Sequence, residues 1–196
     1  MKLDVRPAGL ETFEAFASPH LEYLYALARR LCGQPEAAED VVQEALLRAY
    51  RGLPQLRNRE HPRLWLTKVL TSVAMDRFRR EADHDRSVSL DDERRFSLFD
   101  ALVEEDPFPY SDRLHLDFLD LFDDEKLIAV LQRIPPVQRT ALVLAYVHGY
   151  KAREIAEMTA SPLGTVLARL NRGRKQLERS LWEYASERGL LEKVKP

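Results

Sequence analysis

The chain of 196 residues carries one cysteine, Cys32, so no internal disulfide can form. Beside Leu31, that side chain suits a small buried or half-buried hydrophobe better than a nucleophile. Glycine is scarce, at seven residues, and none gather into a phosphate-cradling loop. The five histidines show no metal-ligand spacing with one another or with Cys32, so neither a metal nor a cofactor is expected. His61 and His148 have no nearby carboxylate or nucleophile pattern, which argues against an all-helical enzyme. No apolar run approaches the ~20 residues of a membrane span. The opening "MKLDVRPAGLETF" is broken by Asp4, Arg6, Pro7 and Glu11, unlike a signal peptide. These absences predict a soluble, cytoplasmic protein without membrane insertion.

What the chain does have is charge, unevenly placed. The formal net charge of -2 hides a partition into +3 over residues 1–80, -12 over 81–125 and +7 over 126–196. Two basic blocks therefore flank an acidic middle holding 16 carboxylates. A basic segment suits phosphate neutralisation, whereas so acidic a stretch cannot lie on DNA. With 45% hydrophobic residues, the length supplies a core for one medium domain or two small ones.

The N-terminal block is helical throughout. "LETFEAFASPHLEYLYALARRLCG" places Phe13, Phe16, Leu21, Leu24, Leu27, Ala28 and Leu31 at helical spacings, interrupted near Pro19 and ended at Gly33. "PEAAEDVVQEALLRAYRGL" starts on proline with an acidic first turn, which the helix dipole favours, and ends near Gly52. A third helix, "HPRLWLTKVLTSVAMDRFRR", starts at Pro62 and finishes on a basic turn. Trp65, next to Leu66 and near Val69, fits the core better than a base-stacking surface. No strand-like alternation with Gly or Asn turns occurs in this block.

The middle contains Phe96, Leu98, Phe99, Phe108, Tyr110, Leu116, Phe118 and Phe122, more aromatics than a purely disordered tether would hold. Two readings stay open: a tether with docking segments, of which "SDRLHLDFLDLF" is the better helix candidate, or apolar residues that pack back on either flank. In the last block, "EKLIAVLQRI" and "QRTALVLAYVHG" form two helices divided by Pro135 and Pro136. "ERSLWEYASERGLL" extends or closes the bundle.

Between them, "KAREIAEMTA" offers a short apolar face of Ala152, Ile155, Ala156 and Met158. "SPLGTVLARLNRGRKQL" follows across a three-residue turn, with Ser161 as N-cap and Pro162 at the first helical position. Leu163, Val166, Leu170 and Leu177 form its buried stripe. At about 100° per residue, Gly164, Ala168, Asn171, Arg172 and Lys175 fall opposite, with Thr165 and Arg169 at the edge. This is either a plain helical hairpin or a helix-turn-helix whose second helix enters a major groove. Small residues at Gly164 and Ala168 favour the groove, because a solvated face would take Glu or Lys there.

Together these residues resemble the extracytoplasmic-function (ECF) group of bacterial sigma factors. "AAEDVVQEALLRAY" followed by "RLWLTKVLTSVAMDRFRR" is similar to sigma region 2, and "IPPVQRTALVLAYVHGYKAREIAEMTASPLGTVLARLNRGRKQL" to region 4. The resemblance implies an all-α fold of two small domains, residues 1–80 and 124–196, joined by an acidic linker at 81–123. It implies an initiation factor that directs core RNA polymerase to a two-part promoter, performs no covalent chemistry and has an anti-sigma partner. Independently of it, Asp40, Gln43, Glu44 and Leu47 lie at i, i+3, i+4 and i+7 on one mixed face. By the resemblance, Asp40, Gln43 and Glu44 grip polymerase, with Leu47 on the same face and Arg48 as a neighbour.

Capture of the melted promoter strand needs cations and a pocket for an unstacked base. The resemblance assigns this to Arg57, Asn58 and Arg59 in a loop, to the basic end Arg77, Arg79 and Arg80, and to Ser72 and Asp76 at base-pocket positions. Many relatives carry an Arg-Asn pair where this chain has Thr71 and Ser72. For the distal element the matching readers are Leu167, Ala168, Asn171 and Arg172, while Thr165 and Arg169 suit phosphate and Lys175 lies on the same outer face. Asn pairs with adenine and Arg with guanine, and Ala or Leu can touch a thymine methyl. Leu167 stands where relatives commonly hold Lys or Arg, which predicts a weaker electrostatic grip, an altered base preference, or both. The acidic linker either runs toward the polymerase RNA exit path or masks the chain's own basic faces. The competing function is a stand-alone helix-turn-helix regulator, for which mutation of Asp40 or Gln43 would be mild.

Overall fold

A computed structural model describes residues 8–84 and 124–187, all of whose regular structure is helical. Of the expected acidic linker, residues 81–84 belong to a described helix, and the rest, with the helix candidate at 111–122, lies outside the described residues.

The N-terminal unit has four helices: α1 (Ala8–Ala17), α2 (Leu21–Cys32), α3 (Pro35–Gly52) and α4 (Pro62–His84). Pro19 sits in a single 3-10 turn, Ser18–His20, that separates α1 from α2. Gly33 ends α2 at φ 83°, a conformation that disfavours a side chain, and its N–H closes on the Arg29 carbonyl at 2.8 Å. α3 starts on Pro35 and carries Glu36 in its first turn, as the pattern predicts. α4 continues four residues beyond the basic turn that was expected to end it.

The core of this unit is built from Leu24, Leu27 and Leu31 of α2, Val41, Ala45 and Ala49 of α3, and Leu66, Leu70 and Val73 of α4. Each large aliphatic buried here contributes roughly 1.5–3 kcal/mol. Trp65 lies against this core, edge-on to Phe16 with ring centroids 5.8 Å apart and close beneath Gly52, so it is a packing residue.

The C-terminal unit consists of α5 (Asp124–Leu131), α6 (Pro136–Leu142), α7 (Ala152–Met158) and α8 (Leu163–Glu187). A π-helical turn, Val143–Val147, prolongs α6, and the His148 N–H reaches the Val143 carbonyl at 3.1 Å. Glu154 caps α7 by accepting the Lys151 N–H at 2.7 Å. Gly173 of α8 lets Leu142 come so near that a β-carbon there would lie 3.0 Å from it. Ile155, Val166, Leu170 and Leu177 are buried, in line with the predicted stripe, whereas Leu163 is only half-buried.

The turn between α7 and α8 differs from the sequence reading. It has four residues, Thr159–Pro162, rather than three, and it caps α7: the Ser161 N–H bonds the Ala156 carbonyl at 3.0 Å and the Ala160 N–H approaches that of Glu157 at 3.4 Å. This is the Schellman arrangement, with Ala160 in the left-handed position at φ 47° where glycine is usual. The Ser161 hydroxyl does not cap α8. It donates to the Thr159 carbonyl at 3.1 Å and accepts from Arg169 at 2.8 Å.

The two units pack against each other over one continuous core that includes Phe78 of α4 and Leu131, Ile134 and Leu144 of the C-terminal unit. Polar contacts cross the seam. Arg29 meets Glu125 at 3.0 Å, the Gln132 amide donates to the Arg30 carbonyl at 3.3 Å, and Lys68 faces Glu157 at 3.8 Å. Gln132 also fills the space over Gly33, where a β-carbon would come within 2.5 Å of it. Arg139 is 5% exposed, stands 5.7 Å from the Phe78 ring centroid and donates to Gln132 at 2.6 Å. Burial pushes its guanidinium pKa down to about 10.

Candidate DNA and polymerase interfaces

On α3, burying Val41 and Ala45 turns Asp40, Gln43 and Leu47 to solvent, with Glu44 and Arg48 half-buried beside them. Leu47 is 51% exposed, an apolar side chain left in the middle of a charged face. The α3 face and the basic end of α4, which the sequence treats as two separate sites, share one charge network. Arg48 donates to Glu44 at 2.7 Å and, across to α4, to Asp76 at 2.8 Å. Asp76 accepts from Arg79 at 3.1 Å as well. Arg77 reaches Glu81 at 2.7 Å and Asp40 at 3.4 Å, and the Arg80 Nε–H donates to the Asp76 carbonyl at 3.3 Å.

The hydrogen bond to Asp76, followed by that to Glu44, raises the Arg48 pKa, so this guanidinium is a fixed cation. A groove of about 1000 Å³ lies between α3 and the end of α4 and is lined by these groups. Arg48 is therefore not simply a neighbour on the α3 stripe; it links the two helices.

The loop candidates Arg57, Asn58 and Arg59 are exposed. The Asn58 side chain accepts the Glu60 N–H at 2.8 Å, a local turn that fixes the loop, and Arg59 donates to the Leu53 carbonyl at 3.3 Å. Ser72 is exposed, but Thr71 is fully buried with its hydroxyl unpartnered. Thr71 thus points inward in this chain, and its short side chain fits the buried space there.

On α8, Lys175 is exposed, and Thr165, Leu167, Asn171 and Arg172 are half-buried. Ala168, placed opposite the buried stripe by periodicity, is instead 9% exposed. Arg169 bends back to Ser161, so it supports the turn as well as standing at the helix edge. Cys32 behaves as a hydrophobe: burial pushes its thiol up to about 11, which leaves almost no thiolate near neutrality.

The residues missed by sequence reasoning are those of the seam. Tyr23, Thr67 and Tyr150 bring three hydroxyls together at 3.2 Å, although 127 positions separate the two tyrosines. No local pattern signals such a cluster. Arg139 and Gln132 gave no sign either.

Comparison with known proteins agrees with this architecture. Residues 16–84 match sigma-70 region 2 and residues 124–177 match sigma-70 region 4. The chain is 30% identical over 172 residues to the ECF RNA polymerase sigma factor SigM of Mycobacterium tuberculosis, covering 86% of this chain and 76% of that protein. It is 25% identical to SigW of Bacillus subtilis, over 90% of this chain and 92% of SigW. Against SigE of Mycolicibacterium smegmatis it is 30% identical over 92% of its own length, and it spans 65% of the length of that relative.

Among solved structures, the fold is similar to the sigma factor RpoE in complex with the anti-sigma factor NepR from Bartonella quintana. That match has a TM-score of 0.57 and 21% identity, and covers 87% of this chain and 97% of RpoE. CnrH in complex with the cytosolic domain of CnrY gives a TM-score of 0.53 at 18% identity, over 95% and 91% of the two chains. The matches to sigma-70 regions 2 and 4, in that order on one helical chain, make this a transcription initiation factor of the sigma-70 type. Within that class, the chain belongs to the ECF RNA polymerase sigma factors. Among the described residues, no helix is long and apolar enough to cross a membrane.

Proposed function

We propose that this ECF sigma factor docks on core RNA polymerase through Asp40, Gln43, Glu44 and Leu47 of α3, with Arg48 bridging to α4. It then reads a two-part promoter with two separate surfaces. Arg57, Asn58 and Arg59, with Ser72, Asp76, Arg77, Arg79 and Arg80, take the melted proximal element, where cations hold phosphates and the loop receives an unstacked base. Leu167, Asn171 and Arg172 read base edges of the distal element, while Thr165, Arg169 and Lys175 hold its backbone. Ala168 lies low on the helix and serves close approach more than a direct contact. The N-terminal unit extends through α4 to residue 84 and the C-terminal unit begins at residue 124, with 85–123 as linker. The protein acts in the cytoplasm by binding and positioning, without chemistry of its own, and an anti-sigma protein restrains it.

The observation that carries this reading is the succession, in one chain, of an exposed mixed face on α3, a basic end on α4 and a basic helix-turn-helix. The test is transcription of fragmented host DNA by core polymerase with and without the protein, mapping every new RNA start. New starts that share two spaced upstream motifs support it. Absence of any new start from a polymerase active with another sigma factor overturns it. Asn171→Ala should weaken a consensus distal element by about 1–3 kcal/mol, with less effect on a site altered at the base it reads.

A further inference from the structure

His148 lies where the two units meet. Its ring stands edge-to-face on Tyr23 of α2, with centroids 4.9 Å apart, and its Nε2 is buried without a hydrogen-bond partner. The charged groups that act on it are Arg30 from α2 and Arg63 from α4, both cations. Arg63 itself lies 3.8 Å over the Tyr23 ring. On its own side of the seam stands Tyr150, whose hydroxyl meets those of Tyr23 and Thr67. Burial, with the hydrogen bond to Tyr23, pushes the Tyr150 hydroxyl up to about 12, so Tyr150 stays neutral at working pH.

We propose that this seam is a proton-released latch, in which protonation of His148 parts the helix-turn-helix unit from the N-terminal unit. A positive charge in the imidazole would be the third beside two guanidiniums, with no carboxylate among the described residues acting on it, and its buried Nε2–H would find no acceptor. Parting the units returns the ring to water and relieves both penalties. An apolar residue would pack against Tyr23 equally well at any pH, so a histidine makes the contact conditional. The consequence for transcription rests on the function proposed above, since two spaced promoter elements require the units to separate. The latch itself does not depend on that reading.

Burial, then the charges of Arg30 and Arg63, depress the His148 pKa from its ordinary 6.5 to about 4 while the units are docked. The docked form is therefore fully favoured above the ordinary value, and its advantage is lost as pH falls from there toward the docked one. Between about pH 7.5 and about pH 5.5 the docking equilibrium should weaken about tenfold.

The experiment is amide hydrogen exchange on the full chain at these two pH values, corrected for intrinsic rates, alongside an NMR titration of the histidine rings. Seam amides around residues 143–150 should lose about tenfold in protection relative to amides of α3, and His148→Phe should abolish that loss. Equal loss in wild type and variant, or none in wild type, overturns the latch. Should the variant fail to fold, the wild-type titration decides: a His148 midpoint well below 6.5 supports the latch, and one at the ordinary value overturns it. These readouts need neither polymerase nor DNA, so failure of the latch is distinguishable from failure of the transcription reading.

Discussion

Replacing Ala160 with glycine should make the protein more stable, although it deletes a methyl group. Ala160 occupies the left-handed position of the turn between α7 and α8, at φ 47°. A residue with a β-carbon held there is disfavoured by roughly 1–2 kcal/mol, from crowding against the following carbonyl. Glycine removes that strain but brings a more flexible unfolded chain, which offsets about 0.5–1 kcal/mol. The expected net gain is about 0.5–1 kcal/mol, because Ala160 is exposed and its methyl fills no core space. For a protein of this size that is a rise of roughly 1–4 °C in Tm. Urea and thermal unfolding of wild type, Ala160→Gly and Ala160→Val would measure it. Valine, branched at the β-carbon, should fall below wild type by more than glycine rises above it. A destabilised glycine variant with unchanged promoter affinity would refute the strain argument, since it would mean the turn relaxes without penalty.

Other perturbations test packing, the seam and the charge network. Leu144→Ala, which empties a fully buried position shared by both units, should cost about 2–5 kcal/mol in urea unfolding. Gly33→Ala should destabilise by about 1 kcal/mol or more, from the positive φ and the displaced Gln132, with increased exchange at α5 as the local readout. Arg48 and Asp76 should couple by about 0.2–1 kcal/mol in a double-mutant cycle on stability, because the pair is partly solvated. A coupling indistinguishable from zero would show that the bridge adds nothing to the packing of α3 on α4.

The charge network bears on how the sites work together. Asp40 and Glu44, the carboxylates proposed to meet polymerase, are paired with Arg77 and Arg48, and Asp76 is paired with Arg48 and Arg79. Each pair alone is weak at this exposure, so a partner can exchange them at little cost. They keep like charges apart on a crowded surface without locking it.

Local chemistry was enough to read the helices from sequence. Pro35 and Pro62 start helices because proline fixes φ and lacks only an N–H the first turn leaves unused, whereas Pro136, read as part of a divider, itself opens α6. Gly33 ends one because it tolerates positive φ, and the spacing of Val166, Leu170 and Leu177 set the buried face of α8. The motifs of both sigma regions were likewise legible, since each lies within two or three successive helices.

Long-range packing was not legible. The Schellman turn went unseen because its left-handed residue is an alanine, and the burial of Ala168 because periodicity knows only its own helix. Arg48 could be placed on α3, but its bridge to Asp76 depends on how α4 crosses α3. The seam that joins Tyr23, Thr67, His148 and Tyr150 came from the tertiary structure alone, because side chains so far apart in sequence leave no periodic trace and meet only when two apolar surfaces close over each other.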